Sequence, residues 1–216
     1  MIAFVKKMTS QYSNEQWGQW LTQLADDNFV IIDEFLPANL LETVLDYFNQ
    51  KKELDSFNLA KIGPAVDKQR VASIRTDKTF WIDRKRDVEL NDFFGLVEEL
   101  MQQFAQQLYL SLSGYEFHLA SYSKGGFYKA HLDQFDSRSN RMISLIIYLN
   151  ENWKDDHGGE LLIHSSPNIK VEPILNRAVL FRSDLVLHEV LPSNRERKSL
   201  TGWLLKQPST IGVLGI

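Results

Sequence analysis

The sequence predicts an α+β fold, a double-stranded β-helix (jelly roll) with helices packed on one face. Three observations carry that expectation. Apolar residues recur at helical spacing only in the first half of the chain. After Ser113-Gly114 the texture changes to eight short apolar segments separated by turn signals, which favours a two-sheet roll over a parallel sheet. The run Met142-Ile-Ser-Leu-Ile-Ile-Tyr-Leu149 reads as a strand buried on both faces.

Taken in order, Ser13 followed by Gln16 forms a capping box, and Trp17, Trp20, Leu21 and Leu24 continue at helical spacing. Phe29 to Leu36 reads as a buried strand stopped by Pro37, and Leu40, Leu41, Val44, Leu45 and Phe48 mark a second helix. Residues 50–80 are polar and carry Gly63-Pro64, so a mobile loop is expected there. Phe93, Leu96, Val97, Leu100, Met101, Phe104 and Leu108 mark a long third helix. The strands of the roll are expected at 115–122, 128–133, 141–149, 159–164, 168–172, 178–182, 186–191 and 197–205. In the strand at 141–149, Ile143, Leu145, Ile147 and Leu149 are expected to pack under the third helix, with Ser144, Ile146 and Tyr148 facing inward. The expected organisation is a single domain over 1–216, with a helical support at 1–112 that includes flanking strands and the loop, and a jelly-roll catalytic core at 113–206.

Composition narrows the chemistry. The chain has no cysteine, which removes disulfides, zinc fingers, iron–sulfur clusters and thiol nucleophiles together. A metal would have to be held by nitrogen and oxygen from five His and 28 acidic residues. A net charge of −4 speaks against a nucleic-acid or anionic-membrane surface. The start, Met1 to Ser10, lacks the order of a secretory signal, and no apolar stretch approaches the roughly 20 residues that span a bilayer. A cytoplasmic protein with neither nucleic-acid nor membrane partner is therefore expected.

The sharpest feature is His131-Leu132-Asp133 on a strand, with His188 on another strand 57 positions later. Side chains at i and i+2 of a strand share a face, so His131 and Asp133 converge while Leu132 faces away. With His188 they form a two-His-one-carboxylate set, which leaves adjacent coordination positions free and suits non-haem Fe(II). Nine positions after His188 stands Arg197, and on its strand Arg197, Ser199, Thr201 and Trp203 share one face. A guanidinium in a half-buried pocket pairs bidentately with a carboxylate, and 2-oxoglutarate is the obvious dicarboxylate. His118, His157 and His164 read as structural or exposed, Arg84-Lys85-Arg86 as a solvated loop, and Asp77 as a partner for Arg141.

Residues 115 to 205 resemble the 2-oxoglutarate/Fe(II)-dependent dioxygenases, in particular the prolyl 4-hydroxylases of the hypoxia-sensing type and their bacterial relatives. The resemblance is carried by Tyr122, Tyr128-Lys-Ala-His131-Leu-Asp133, Ile147-Tyr-Leu-Asn150, Gly158-Gly-Glu-Leu161, His188-Glu-Val190 and Arg197-Lys-Ser-Leu-Thr-Gly-Trp203. Upstream, Ile74-Arg-Thr-Asp-Lys78 with Trp81 resembles the strand pair beside that family's mobile substrate loop. Carried over by position, the resemblance implies that His131, Asp133 and His188 bind iron and that Arg197 serves catalysis by anchoring the co-substrate. Tyr148 would share that anchoring, with Tyr122, Tyr128, Thr201 and Leu161 around the co-substrate. Trp203, Arg75 and Asp77 would meet the substrate.

The activity implied is hydroxylation of a peptidyl proline in the manner of procollagen-proline 4-dioxygenase, with 2-oxoglutarate and O₂ giving succinate and CO₂. Fe(II) is the implied metal, 2-oxoglutarate the co-substrate, and ascorbate a further expected ligand. The implied partner is a proline-containing protein or peptide, with elongation factor Tu or another translation protein as the expected target. Asp133 favours hydroxylation, since related halogenases carry a small residue in its place. Trp203 stands where related nucleic-acid demethylases carry a second Arg. Two alternatives remain at this point: hydroxylation of a free amino acid or other small molecule, and a non-catalytic metal-binding sensor or scaffold.

Overall fold

A computed structural model of the chain describes residues 11–60, 73–134 and 139–206. Helix α1 (Asn14–Asp27) begins at Ser13, whose hydroxyl accepts from the Gln16 amide at 3.1 Å while the Gln16 side chain accepts from the Ser13 amide at 3.0 Å. A reciprocal cap of this kind contributes about 1 kcal/mol, but most of the helix's stability comes from burying Trp17, Leu21 and Leu24. Strand β1 (Phe29–Ile32) is shorter than the expected strand to Leu36. Glu34 takes a left-handed φ of 55°, which breaks the ladder. Leu36 nevertheless stays buried, its amide and carbonyl both bonded to the side chain of Asn176 at 2.7 and 2.8 Å. Burial alone therefore reads like a strand where the backbone has already turned.

Helix α2 (Ala38–Glu53) runs into the segment expected to be a loop. Strands β2 (Asn58–Leu59) and β3 (Lys78–Ile82) then pair antiparallel, matching the flanking strand pair of the resemblance. The centre of the expected loop, 61–72, lies outside the described residues. Helix α3 (Asn91–Gln107) follows, after which come β4 (Gly114–Tyr122), β5 (Tyr128–His131), β6 (Arg141–Tyr148), β7 (Leu161–Ile163), β8 (Ile169–Val171), β9 (Ala178–Arg182), β10 (His188–Val190) and β11 (Arg197–Leu205). All eight expected strands form, though β5 stops at His131 rather than continuing to 133.

The strands build two facing antiparallel sheets, a seven-stranded one in the order β1-β9-β6-β11-β4-β3-β2 and a four-stranded one in the order β5-β10-β7-β8. Strand alternation divides their apolar residues between two cores. Ile143, Leu145, Ile147, Leu200 and Leu204 join Trp17, Val44, Phe93 and Leu100 in the core under the helices. Ala120, Ile146, Tyr148, Val179 and Phe181 join Leu161, Ile163, Val171 and Val190 between the sheets. Gly202 marks the tightest approach of β11 to β4, because a Cβ there would stand 2.3 Å from the Glu116 carbonyl and 2.2 Å from the Phe117 ring. The architecture is the double-stranded β-helix with helices on one outer face. No helix among the described residues is long and apolar enough to cross a membrane.

Candidate metal and co-substrate site

β10 pairs with β5 so that His188 lies directly opposite His131. Asp133 follows just beyond the end of β5, and one ligand atom from each of His131, Asp133 and His188 can be chosen so that all three lie within 4.8 Å of one another. His131 Nε2 is 3.4 Å from Asp133 Oδ1, and His188 Nε2 is 3.8 Å from Asp133 Oδ2. The convergence is therefore real, although its local cause is a turn after β5 rather than continued alternation. For the same reason Leu132 does not enter the opposite layer: it is 38% exposed and lines the cavity mouth.

Both imidazoles are fixed in the same tautomer. Nδ1 of His131 lies 2.7 Å from the Lys129 carbonyl, and Nδ1 of His188 lies 3.0 Å from the Val186 carbonyl. Carbonyl oxygens only accept, so each Nδ1 carries the proton and each Nε2 presents a lone pair. Burial lowers the His188 pKa to about 4, against the opposing pull of Asp133, so the ring is neutral at ordinary pH. Burial alone would raise the Asp133 carboxyl. The Ser144 hydroxyl, which donates to Oδ2 at 2.6 Å, opposes this and favours the carboxylate. Two imidazoles with Nδ1 held by carbonyls and one carboxylate, oriented by outer partners, are a nitrogen–oxygen donor set that fits Fe(II).

Above the larger sheet lies a cavity of about 1010 Å³. Arg197, 1% exposed, forms one deep part of its wall. Its Nε donates to the Gly159 carbonyl at 2.8 Å, a carbonyl aimed by a glycine at φ +70°. Its Nη2 has no hydrogen-bond partner among the described residues, and neither has the buried hydroxyl of Tyr148. The guanidinium carbon sits 5.0 Å from the Tyr148 ring centre and 5.1 Å from that of Tyr122. Burial raises the phenols of both tyrosines, so they stay neutral. A buried guanidinium with an unmet N–H beside an unmet phenol fits an incoming carboxylate.

The other expected residues divide. Tyr122, Tyr128, Thr201, Leu161, Trp203 and Arg75 line the cavity. Tyr148 lies behind that wall, fully buried beside Arg197. Asp77, 1% exposed, does not reach the cavity wall and pairs with Arg75 through two contacts of 2.7 and 2.5 Å. Arg141 does not pair with Asp77 as expected; it binds Glu116 at 2.6 Å and lies 3.4 Å over the Trp203 ring. Tyr128 stacks on the His131 ring at 3.6 Å, with the Arg75 guanidinium 4.3 Å from its centre.

Among the cavity residues to which the sequence reading gave no role are Arg86 and His118. Arg86 sits in an exposed turn, as expected, and also lines the cavity, donating to the Trp81 carbonyl at 2.5 Å. His118, expected to be structural or exposed, is a buried wall residue that stacks on Trp203 and meets Trp81 at a tilt. The signal for it was parity: on β4, His118 and Tyr122 lie four residues apart and must share a face.

A double-stranded β-helix presenting two histidines and a carboxylate inside its roll, with a buried cation deeper in the same cavity, defines a non-haem iron oxygenase. The comparisons with known proteins agree. Residues 117–205 match the family model of the 2OG-Fe(II) oxygenase superfamily. A prolyl-4-hydroxylase from Pseudomonas putida is 32% identical, with 89% of this chain and 100% of that one covered at a TM-score of 0.79. A prolyl hydroxylase from Trichoplax adhaerens, solved with a peptide of the hypoxia inducible factor oxygen degradation domain, is 27% identical over 89% of this chain and 90% of that one, at a TM-score of 0.78. A prolyl 4-hydroxylase from Phytophthora capsici is 26% identical over 95% of this chain and 69% of that one, at a TM-score of 0.70. The chain belongs to the 2-oxoglutarate/Fe(II)-dependent dioxygenases, and its likeness there is to the prolyl hydroxylases of the hypoxia-sensing type.

Proposed function

We propose that the protein is a prolyl 4-hydroxylase acting on a proline of a protein or peptide, using 2-oxoglutarate, O₂ and Fe(II) and releasing succinate and CO₂. The observation that carries this reading is the pairing of the His131, Asp133 and His188 triad with the unmet Arg197 and Tyr148 groups in one wide cavity. A cavity of about 1010 Å³ exceeds what 2-oxoglutarate fills, and its mouth carries the exposed apolar side chains of Leu59, Trp81 and Leu132. Similarity to a hydroxylase solved with a bound peptide supports a peptide there over a free amino acid. In this reading the whole chain, 1–216, serves one catalytic domain.

When bound, the iron supplies the oxidising chemistry that converts an unactivated C–H bond to C–OH. The chain's residues do the rest. His131, Asp133 and His188 hold the metal through two lone pairs and one carboxylate oxygen. Arg197 and Tyr148 receive the distal carboxylate of 2-oxoglutarate, with Thr201, Tyr122 and Leu161 closing the pocket around it. Tyr128 presses the His131 ring into orientation, and Trp203 floors the substrate side. Elongation factor Tu is the first protein target to test, given the resemblance to bacterial prolyl hydroxylases, and a cytoplasmic location accords with it. Ascorbate would act as a reductant supporting turnover. The test is succinate release with Fe(II), 2-oxoglutarate and either elongation factor Tu or blocked proline peptides, with free proline and other amino acids as the competing arm. Coupled oxygen gain on the peptide supports the reading, and turnover confined to a free amino acid refutes it.

A further inference from the structure

Beyond Arg197 and Tyr148, two more buried polar atoms of this site have no hydrogen-bond partner among the described residues: Nδ1 of His118 and Nε1 of Trp203. Their rings belong to one floor. Register places His118 opposite Trp81 on β3 and opposite Thr201 on β11. The ring centres of Trp203 and His118 are 5.4 Å apart, those of His118 and Trp81 4.9 Å and those of Trp81 and Trp203 6.1 Å, so the three rings form a compact triangle. Arg141 closes the far face of Trp203 at 3.4 Å and is tethered to Glu116. Strand β6, whose Ser144 holds Asp133, lies on the other side of β11. The strands that carry these rings, β11, β4 and β3, lie one to three strand spacings of about 4.8 Å from β6. Arg197 instead lies along β11, four residues before Thr201. The co-substrate anchor and the aromatic floor therefore occupy different directions from the metal site.

His118 is neutral at working pH. Burial lowers its pKa to about 3, with the charges of Arg75 and Arg141 adding to the effect and Asp77 and Asp133 opposing it. A neutral imidazole carries one proton. An unmet buried N–H costs more than an unmet lone pair, so the proton sits on Nε2 rather than on the enclosed Nδ1. Trp203 Nε1 is a donor by chemistry. The floor thus offers two donors to a ligand, while the His118 Nδ1 lone pair stays enclosed. Backbone flanking a proline has the complementary character, because proline lacks an N–H and presents carbonyls.

We propose that His118 is a specificity-determining residue: its Nε2–H donates to a carbonyl oxygen of the proline-bearing peptide while the pyrrolidine ring lies on the Trp81–Trp203 floor. The inference rests on the peptidyl-proline reading given above. The experiment titrates a set of blocked Xaa-Pro-Gly peptides, followed by tryptophan fluorescence, into wild type, H118F and H118Q holding saturating Mn(II) and 2-oxoglutarate. H118F keeps the ring and removes the donor, so peptide Kd should rise about 3–10-fold while the 2-oxoglutarate Kd stays within about twofold. H118Q keeps a donor and should fall between H118F and wild type. Replacing the proline carbonyl and, separately, the preceding one by methylene should show one exchange that weakens wild type and leaves H118F unaffected. Unchanged peptide affinity in H118F overturns the assignment, as does equal loss of peptide and 2-oxoglutarate binding. If wild type binds none of the peptides, the peptidyl-proline reading falls first and this inference falls with it.

Discussion

If Arg197 anchors the distal carboxylate of 2-oxoglutarate as proposed, truncating it to Ala removes the cation that this carboxylate meets. The side chain is 1% exposed, its Nε donates to the Gly159 carbonyl at 2.8 Å, and its Nη2 is unmet among the described residues. Breaking a buried charge pair from one side costs about 3–5 kcal/mol, and even the lower bound corresponds to more than a hundredfold in binding. Arg197→Ala should therefore raise the 2-oxoglutarate Kd by at least about a hundredfold, measured calorimetrically with Mn(II) in place of iron. Two neighbouring cations serve as controls. Arg195 is exposed near the Trp153 ring, and Lys198 points to the outer face of β11, 5.6 Å over Phe48. Arg195→Ala and Lys198→Ala should change the Kd only a few-fold. Arg197→Lys should recover part of the loss, since a point charge cannot reproduce the planar fork. A damaging Lys198→Ala alongside a mild Arg197→Ala would refute the reasoning, and the inward roles of Thr201 and Trp203 would fall with it.

Other perturbations test separate parts of the site. His131→Ala and His188→Ala should each abolish stoichiometric Mn(II) binding and succinate release, read by metal titration and coupled assay; a double variant that retains stoichiometric metal contradicts the triad. Tyr128→Phe should leave Mn(II) affinity unchanged, because the ring stacks on His131, whereas Tyr128→Leu should weaken it about tenfold in the same titration. Gly202→Ala should destabilise the fold by about 3 kcal/mol, seen as a lower Tm, because the new methyl meets backbone it cannot displace. Acid titration of stability has a definite sign. His118, lowered to about 3, takes up a proton in the unfolded chain near pH 6.5 but not in the folded one. Apo stability should thus fall as pH drops from about 6.5 toward 4, by up to roughly 1.4 kcal/mol per pH unit from this residue, and H118F should flatten that slope in urea denaturation.

Most of the fold was legible because strand and helix periodicities were intact. The parity of 143–149 correctly separated the residues under the helices from those between the sheets, and the parity of β11 correctly turned Arg197, Thr201 and Trp203 inward. The misreadings arose where burial and backbone geometry part company. Phe35 and Leu36 are as buried as strand residues, yet Glu34 has already left the ladder. Asp133 reaches His131 and His188 from beyond a strand end, which alternation cannot foresee, so Leu132 was assigned to the wrong side. Ion-pair partners were also hidden. Arg75 and Asp77 face each other on one short segment, and that local pairing prevails over the expected link from Asp77 to Arg141. His118 was legible by parity but lacked any motif to draw attention to it.

The most direct test of the central claim combines two readouts on one reaction. Elongation factor Tu and the blocked proline peptides are incubated with the Fe(II)-loaded enzyme, 2-oxoglutarate and O₂, then analysed by fragmentation mass spectrometry alongside succinate release. Expected is the gain of one oxygen atom on a proline, with one succinate released for each hydroxyl formed and no gain when 2-oxoglutarate is omitted. Succinate released with every proline unmodified, or oxygen placed only on a free amino acid supplied in competition, would contradict it.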